Sequence, residues 1–239
     1  TKLVIMIERF LAKRSKALVS VGSQVCDDLL AAGIGTSDQY VVIPPGISLG
    51  PIPNATTSRA TLGISSEVTT ITFLGRITGI KRPDRFAQVA LQVAANNPKV
   101  HFLIVGSGDL ADSLKAQLSK INSQVSFLGW RSDVENILSA TDILLLTSDN
   151  EGTPISAIQA GMTGIPTVST NVGSVSEVIK DGISGVLTSL DVSELANAVQ
   201  SLISDPALRN RLGESAKVDM NARYGVARLV NDYQKLYLA

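Results

Sequence analysis

Short apolar runs alternate with stretches of helical periodicity along almost the whole chain, and few folds accept that pattern. Candidate strands fall at 17–21, 40–43, 70–74, 101–105, 125–128, 143–147, 167–169 and 185–187. Several are continuous apolar runs rather than apolar–polar alternations, as strands buried on both faces require. Strands that alternate with helices read as parallel βαβ units. The expected fold is therefore α/β, a doubly wound, Rossmann-like parallel sheet.

Local signals place the helices. Ser23 is a candidate cap for a helix carrying Val25, Leu29 and Leu30, with Gly33 as its C-terminal stop. Pro83 suits the first turn of another, whose buried stripe would be Phe86, Val89, Ala90 and Val93. Roughly the last 40 residues are helical in period, ending in an apolar stripe of Leu229, Val230, Tyr233 and Leu236 that reads as a docking surface. Between them, Pro44-Pro45-Gly46 and Pro51-Ile52-Pro53 make an extended connection with few core formers. The expected organisation is a terminal piece of one domain over 1–45, a linker over 46–67 and a second, complete domain over 68–239.

Composition narrows the function classes. The chain has 239 residues, is 44% hydrophobic and carries no formal net charge, which argues against a nucleic-acid binder. One cysteine, Cys26, and one histidine, His101, leave no intrachain disulfide and no histidine metal cluster, so a reducing, cytoplasmic setting is expected. His101 lies among Val100, Phe102 and Leu103 and reads as structural; Cys26 and Trp130 read as packing side chains. No apolar run is long enough for a transmembrane helix. The opening segment is broken by Glu8, Arg9, Lys13 and Arg14, fails as a signal peptide, and begins already in helical register without a methionine. A piece of a longer protein is expected.

Four strand-to-helix junctions carry the chemistry. After the strand at 70–74, Gly75-Arg76 and Lys81 precede a helix at Pro83. Ligands in open α/β sheets lie beyond the carboxyl ends of the strands. Two cations beside a helix N-terminus suit a diphosphate, and equally describe a solvated basic turn. The second junction, Val105-Gly106-Ser107-Gly108-Asp109, resembles a dinucleotide fingerprint, but Asp109 would oppose a pyrophosphate and no ribose-binding acid follows; a tight turn is the better reading. The third, Ser148-Asp149-Asn150-Glu151-Gly152-Thr153-Pro154, sets Glu151 beside the outward amides of Gly152, Thr153 and Ile155. That arrangement suits sugar hydroxyls and a phosphate, or a helix start favoured by its dipole. The fourth, Gly173-Ser174 with Glu177, reads as a capping box.

In order and spacing these segments resemble the retaining glycosyltransferases of the GT-B fold (glycosyltransferase family four). The resemblance rests on Gly75-Arg76 with Lys81, Val105-Gly106-Ser107-Gly108, Gly129-Trp130, Glu151-Gly152-Thr153-Pro154, Gly161 to Pro166 and Gly173, and covers essentially the whole chain. It implies the C-terminal, nucleotide-sugar-binding half of such an enzyme, with a remnant of the N-terminal acceptor domain whose remainder, and whose activating histidine, lie outside the chain. The final helix of that family crosses back onto its first domain. By the same resemblance Arg76 and Lys81 hold the donor diphosphate and offset its charge as it departs, in place of a metal. Glu151 takes the sugar hydroxyls, beside Gly152 and Thr153, and the backbone at Trp130 and Arg131 forms the base-binding turn. The donor would be a UDP- or GDP-linked sugar, with no metal or other cofactor, and the whole enzyme would serve cell-envelope or polysaccharide synthesis, with peripheral membrane association an expectation of the same kind. One position departs: where the family has a second glutamate, seven residues separating it from the first, this chain has Gln159. A non-catalytic nucleotide-sugar-binding module, or a GT-B epimerase or phosphorylase, remain the rival readings.

Overall fold

The computed structural model describes residues 2–238; Thr1 and Ala239, the outer ends of the expected segments 1–45 and 68–239, lie outside them. The chain divides into two compact units, Thr1–Ser48 with Ala222–Ala239, and Leu49–Asn221.

The first unit opens with α1 (Lys2–Ala12), β1 (Leu18–Ser20), α2 (Ser23–Ala31) and β2 (Tyr40–Val42). β1 and β2 pair in parallel, Leu18 opposite Tyr40. Gly22, in extended conformation, occupies the capping position of α2, so Ser23 is the first helical residue rather than the cap. Gly33 does close that helix: its N–H donates to Leu30 O at 2.8 Å and that of Ile34 to Leu29 O at 3.0 Å.

The second unit is built on a six-stranded sheet. In chain order it runs α3 (Ala55–Thr61), β3 (Thr69–Leu74), α4 (Pro83–Asn96), β4 (Val100–Val105), α5 (Ala111–Gln117), β5 (Val125–Gly129), α6 (Val134–Ser139), β6 (Ile143–Leu146), α7 (Ile155–Met162), β7 (Thr167–Thr170), α8 (Val175–Val178), β8 (Gly185–Thr188) and α9 (Val192–Ser204). Every strand pairs in parallel, in the order β5-β4-β3-β6-β7-β8. The chain winds outward from β3 to one edge, returns beside β3 as β6, and winds to the other edge. This is the doubly wound order in which ligands bind at the reversal, between the carboxyl ends of β3 and β6.

Burial explains why the strands read as continuous apolar runs. In β4, Phe102 and Ile104 face a core with α4 and α9, while Leu103 and Val105 face a second core with Ile64, Ile137 and Ala140. Successive side chains leave opposite faces of a strand, so a sheet covered on both sides favours apolar side chains at successive positions, and the buried exceptions in β3 and β7, among them Thr70, Thr72, Thr167 and Ser169, are small. Phe86 of α4 meets Phe73 and Phe102 edge to face, at 5.4 and 6.2 Å between ring centres, and the expected stripe Phe86, Val89, Ala90, Val93 is fully buried.

The stretch expected as a linker over 46–67 is ordered by specific contacts. Arg59 of α3 reaches Asp142 at 2.5 Å, the Gly50 amide donates to Glu135 at 2.6 Å, and Ser139 donates to the Pro53 carbonyl at 2.7 Å. The units accordingly divide at 48/49, not at 45/46 and 67/68. They divide again inside α10 (Pro206–Tyr224), so that α11 (Val226–Leu238) groups with the first unit rather than with 68–239. The cause is local: Arg228 donates to the carbonyls of Pro44 and Pro45 at 2.8 and 2.9 Å, and the Ile47 amide donates to Tyr224 O at 2.7 Å. On α11, Leu229, Tyr233 and Leu236 are half-buried and Val230 is exposed.

Candidate functional site

At the reversal point of the sheet a cleft of about 380 Å³ opens above the carboxyl ends of the strands. Each of four loops contributes to it: Gly75, Arg76 and Lys81 after β3, Gly106 and Ser107 after β4, Trp130 and Arg131 after β5, and Glu151, Thr153, Ile155, Ser156 and Gln159 after β6. Arg76, Lys81 and Glu151, the three residues singled out as chemical, thus share one cavity. Gly152 is exposed but does not line it. Ile155 and Gln159 are one helical turn apart and share a face of α7, which brings Gln159 to the cleft.

The pairing of charges within the cleft is specific. Lys81 Nζ donates to both oxygens of Glu151, at 2.6 and 2.8 Å, and Ser148 Oγ donates to Glu151 Oε1 at 2.6 Å. The Glu151 side chain is only 6% exposed, and a carboxylate removed so far from water needs such partners. Glu151 is therefore no helix-start residue; it precedes α7 and is held by a cation from the opposite loop. Arg76 is exposed and, among the described residues, makes no ion pair or side-chain hydrogen bond, leaving its guanidinium directed to whatever enters. The helix amides of Ile155 and Ser156 precede the first intrahelical bond, Ala157 N to Pro154 O at 3.0 Å, and both residues line the cleft.

A second set of charges locks the two loops together beneath the cleft. Arg85, buried in the first turn of α4, donates to Thr147 O at 2.6 Å and to Asp149 at 2.8 Å. Arg82 donates to Asp149 at 3.0 and 3.1 Å and to Asp84 at 2.8 and 2.9 Å, from a left-handed backbone with φ 50°. Partial burial works to raise the Asp149 carboxyl, but the hydrogen bonds from Arg82 and Arg85 outweigh it and hold it below the usual carboxylate range. Those same bonds to Asp84 and Asp149 push Arg82 upward. Sequence reasoning missed Arg82, Arg85, Ser148 and Asp149. A signal existed for the arginines: cations at a helix N-terminus oppose its dipole and imply a dedicated anion nearby.

Glycine enters where backbones meet. A Cβ on Gly106, whose φ is 137°, would overlap the carbonyl of Gly75, so the glycines after β4 bring two cleft loops into contact. The Gly106 amide also donates to Gly129 O at 2.8 Å, and the tight turn expected of this segment lies at Asp109-Leu110, where the Ala111 amide donates to Gly108 O at 3.2 Å. A Cβ on Gly173, φ 53°, would likewise overlap the Glu151 carbonyl, and the Ser174 amide donates to that carbonyl at 2.8 Å. The loop after β7 therefore supports the Glu151 loop from behind. The capping box expected of Ser174 and Glu177 does not close: Ser174 lacks the extended conformation a cap needs, and its buried hydroxyl has no partner among the described residues.

Trp130 corrects another expectation. It is 73% exposed and does not pack, because it follows β5, the edge strand of the sheet, beside which no further strand lies among the described residues. Arg131 pairs with Asp133 at 2.6 Å, and that guanidinium holds the Asp133 carboxyl at about 2. His101 is half-buried with Nε2 at 2.9 Å from Ser126 Oγ, and burial pushes its imidazole below the ordinary range. Cys26 is half-buried and free. Among the described residues no three His, Cys, Asp or Glu side chains converge as a metal site would, and no helix is long and apolar enough to cross a membrane.

Residues 54–219 match the family described as glycosyl transferases group 1. Over 207 residues the chain is 29% identical to the UDP-Gal:alpha-D-GlcNAc-diphosphoundecaprenol alpha-1,3-galactosyltransferase of Escherichia coli, covering 82% of this chain and 53% of that protein. It is 32% identical over 183 residues to the D-inositol 3-phosphate glycosyltransferase of Mycobacterium sp. (strain KMS), covering 71% and 41%. The chain thus spans about half the length of the curated relatives it matches. Anabaena HepE in complex with UDP superposes with a TM-score of 0.90 at 21% identity, over 100% of this chain and 68% of that one. Sucrose-phosphate synthase of Thermosynechococcus elongatus does so at 0.84 and 21%, over 99% and 61%. These two likenesses concern the fold, an α/β domain of the GT-B type; the sequence match extends over more than half of the chain, and the chain belongs to the glycosyl transferases group 1 family.

Proposed function

We propose that this chain is the donor-binding part of a retaining glycosyltransferase that moves a sugar from a nucleoside diphosphate to a hydroxyl acceptor, in cell-envelope or polysaccharide synthesis. The observation that carries the reading is the meeting of Arg76, Lys81, Glu151 and Gln159 in one cleft at the reversal point of the sheet. The relative whose name specifies a UDP-Gal donor and the fold neighbour bound to UDP support a nucleotide-sugar ligand, UDP- or GDP-linked.

On this reading the diphosphate lies against Arg76 and the open amides of Ile155 and Ser156, with Lys81 between it and Glu151. Glu151 accepts from the sugar, Gln159 meets the ribose, and the base sits at the turn of Trp130 and Arg131. The bond between the anomeric carbon and the phosphate oxygen breaks as the acceptor oxygen bonds to the same face of that carbon. The acceptor's proton passes to the departing phosphate, whose charge Arg76 and Lys81 offset without a metal. The acceptor would be held by a further domain of the whole enzyme, of which 1–45 is the near part, so this chain alone binds nucleotide weakly and transfers nothing.

Titration calorimetry with UDP and GDP tests the reading. One of the two binds, and Arg76→Ala abolishes that binding. Absence of binding by either nucleotide, or unchanged affinity in Arg76→Ala, overturns it, as sugar transfer by the isolated chain would overturn its inactivity.

A further inference from the structure

We infer that Ser148 is a positioning residue that assigns the two oxygens of Glu151, reserving one for a single hydroxyl of the donor sugar. The inference rests on the donor-binding reading above and concerns a residue that touches neither nucleotide nor sugar in it.

The geometry is specific about which oxygen is engaged. Glu151 Oε1 accepts from Ser148 Oγ and from Lys81 Nζ, both at 2.6 Å, while Oε2 accepts only from Lys81 Nζ, at 2.8 Å. A carboxylate offers about four lone-pair sites, two on each oxygen. Ser148 and Lys81 fill both on Oε1, so the position left for an incoming hydroxyl is on Oε2. An ammonium has about three N–H donors, of which Glu151 takes two and leaves one for a phosphate oxygen. Lys81 therefore bridges the sugar-binding carboxylate and the diphosphate rather than serving either alone.

Ser148 is built to hold this arrangement. It is 1% exposed, at the end of β6, and its carbonyl accepts from Thr170 Oγ1 at 2.7 Å, which fixes the backbone from the neighbouring strand. Two residues separate it from the glutamate whose carboxylate it orients, and it does not line the cleft itself. Removing the hydroxyl frees Oε1 to turn, so the carboxylate samples orientations in which neither oxygen faces the sugar. The loss falls on recognition of the sugar and spares the nucleotide.

Calorimetry with a panel of UDP- and GDP-hexoses, against UDP and GDP alone, separates the possibilities. In Ser148→Ala, affinity for the best-bound nucleotide sugar falls about tenfold, as loss of one charged hydrogen bond implies, while affinity for the free nucleotide stays within about twofold. In a Glu151→Ala background, which leaves the serine no acceptor at that position, Ser148→Ala causes no further loss, because the serine acts only through the carboxylate. Equal losses for nucleotide and nucleotide sugar mark a general structural role and overturn the inference, as does an undiminished affinity for both or a Ser148→Ala effect that persists without Glu151. If the unaltered chain binds no nucleotide, the donor-binding reading fails first and this inference with it.

Discussion

Replacing Lys81 by methionine keeps most of the side-chain stem and removes the charge, which leaves the Glu151 carboxylate with Ser148 as its only partner among the described residues. Breaking a fully buried ion pair from one side costs about 3–5 kcal/mol, because the surviving charge is stranded away from water. Here the Glu151 side chain is 6% exposed but Lys81 is 24% exposed and the pair borders an open cleft, so solvent relieves part of that cost. A loss of about 2 kcal/mol follows. In a chain of this size it amounts to a melting point lower by about 4–8 °C. Adding Glu151→Gln to Lys81→Met removes the stranded charge while its amide oxygen still accepts from Ser148. The double variant returns to within about 1 kcal/mol of the unaltered protein. Urea denaturation and thermal melts of the two single variants and the double measure the coupling, expected to exceed about 1 kcal/mol. A Lys81→Met variant with an unchanged midpoint, or a double variant whose loss equals the sum of the singles, would refute the claim that the pair is energetically closed.

Three further outcomes are expected. Gln159→Glu strengthens nucleotide binding by up to about tenfold, since a charged hydrogen bond exceeds a neutral one by about 1 kcal/mol; equal or weaker affinity by calorimetry counts against ribose contact. Gly173→Ala forces a side chain into a left-handed backbone and onto the Glu151 carbonyl, so the protein loses about 2 kcal/mol or more in urea and nucleotide-sugar binding fails with it; a wild-type midpoint refutes the contact. His101, with its folded pKa below the model-peptide value of 6.5, resists a proton that the unfolded chain accepts. Its influence is absent above that pH, and stability declines as pH falls from there toward the folded value. His101→Gln flattens this part of the stability–pH curve, and an identical slope in both proteins overturns the assignment.

Much of the architecture was legible because burial on both faces leaves a local trace. Every strand of the sheet overlaps a segment expected as a strand, and Pro83, Gly33 and the stripe from Phe86 to Val93 mark their helices through backbone geometry and helical period, both properties of neighbouring residues. Family resemblance carried the choice of Arg76, Lys81, Glu151 and Gln159, and the order of strands turned that choice into a location. What stayed hidden depends on partners far apart in the chain. Nothing near Lys81 announces its bond to Glu151, 70 positions on, nor anything near Arg85 its tie to Asp149, 64 positions away. The exposure of Trp130 follows from β5 lying at the sheet's edge, and the ordering of 46–67 from Arg59 meeting Asp142, 83 positions on. Local sequence determined which segments become strands and helices, because conformational preference and amphipathic period act over a few residues. Only the tertiary structure decided which charges neutralise one another and which, like Arg76, are left for a ligand, because ion pairing depends on distance through space rather than along the chain.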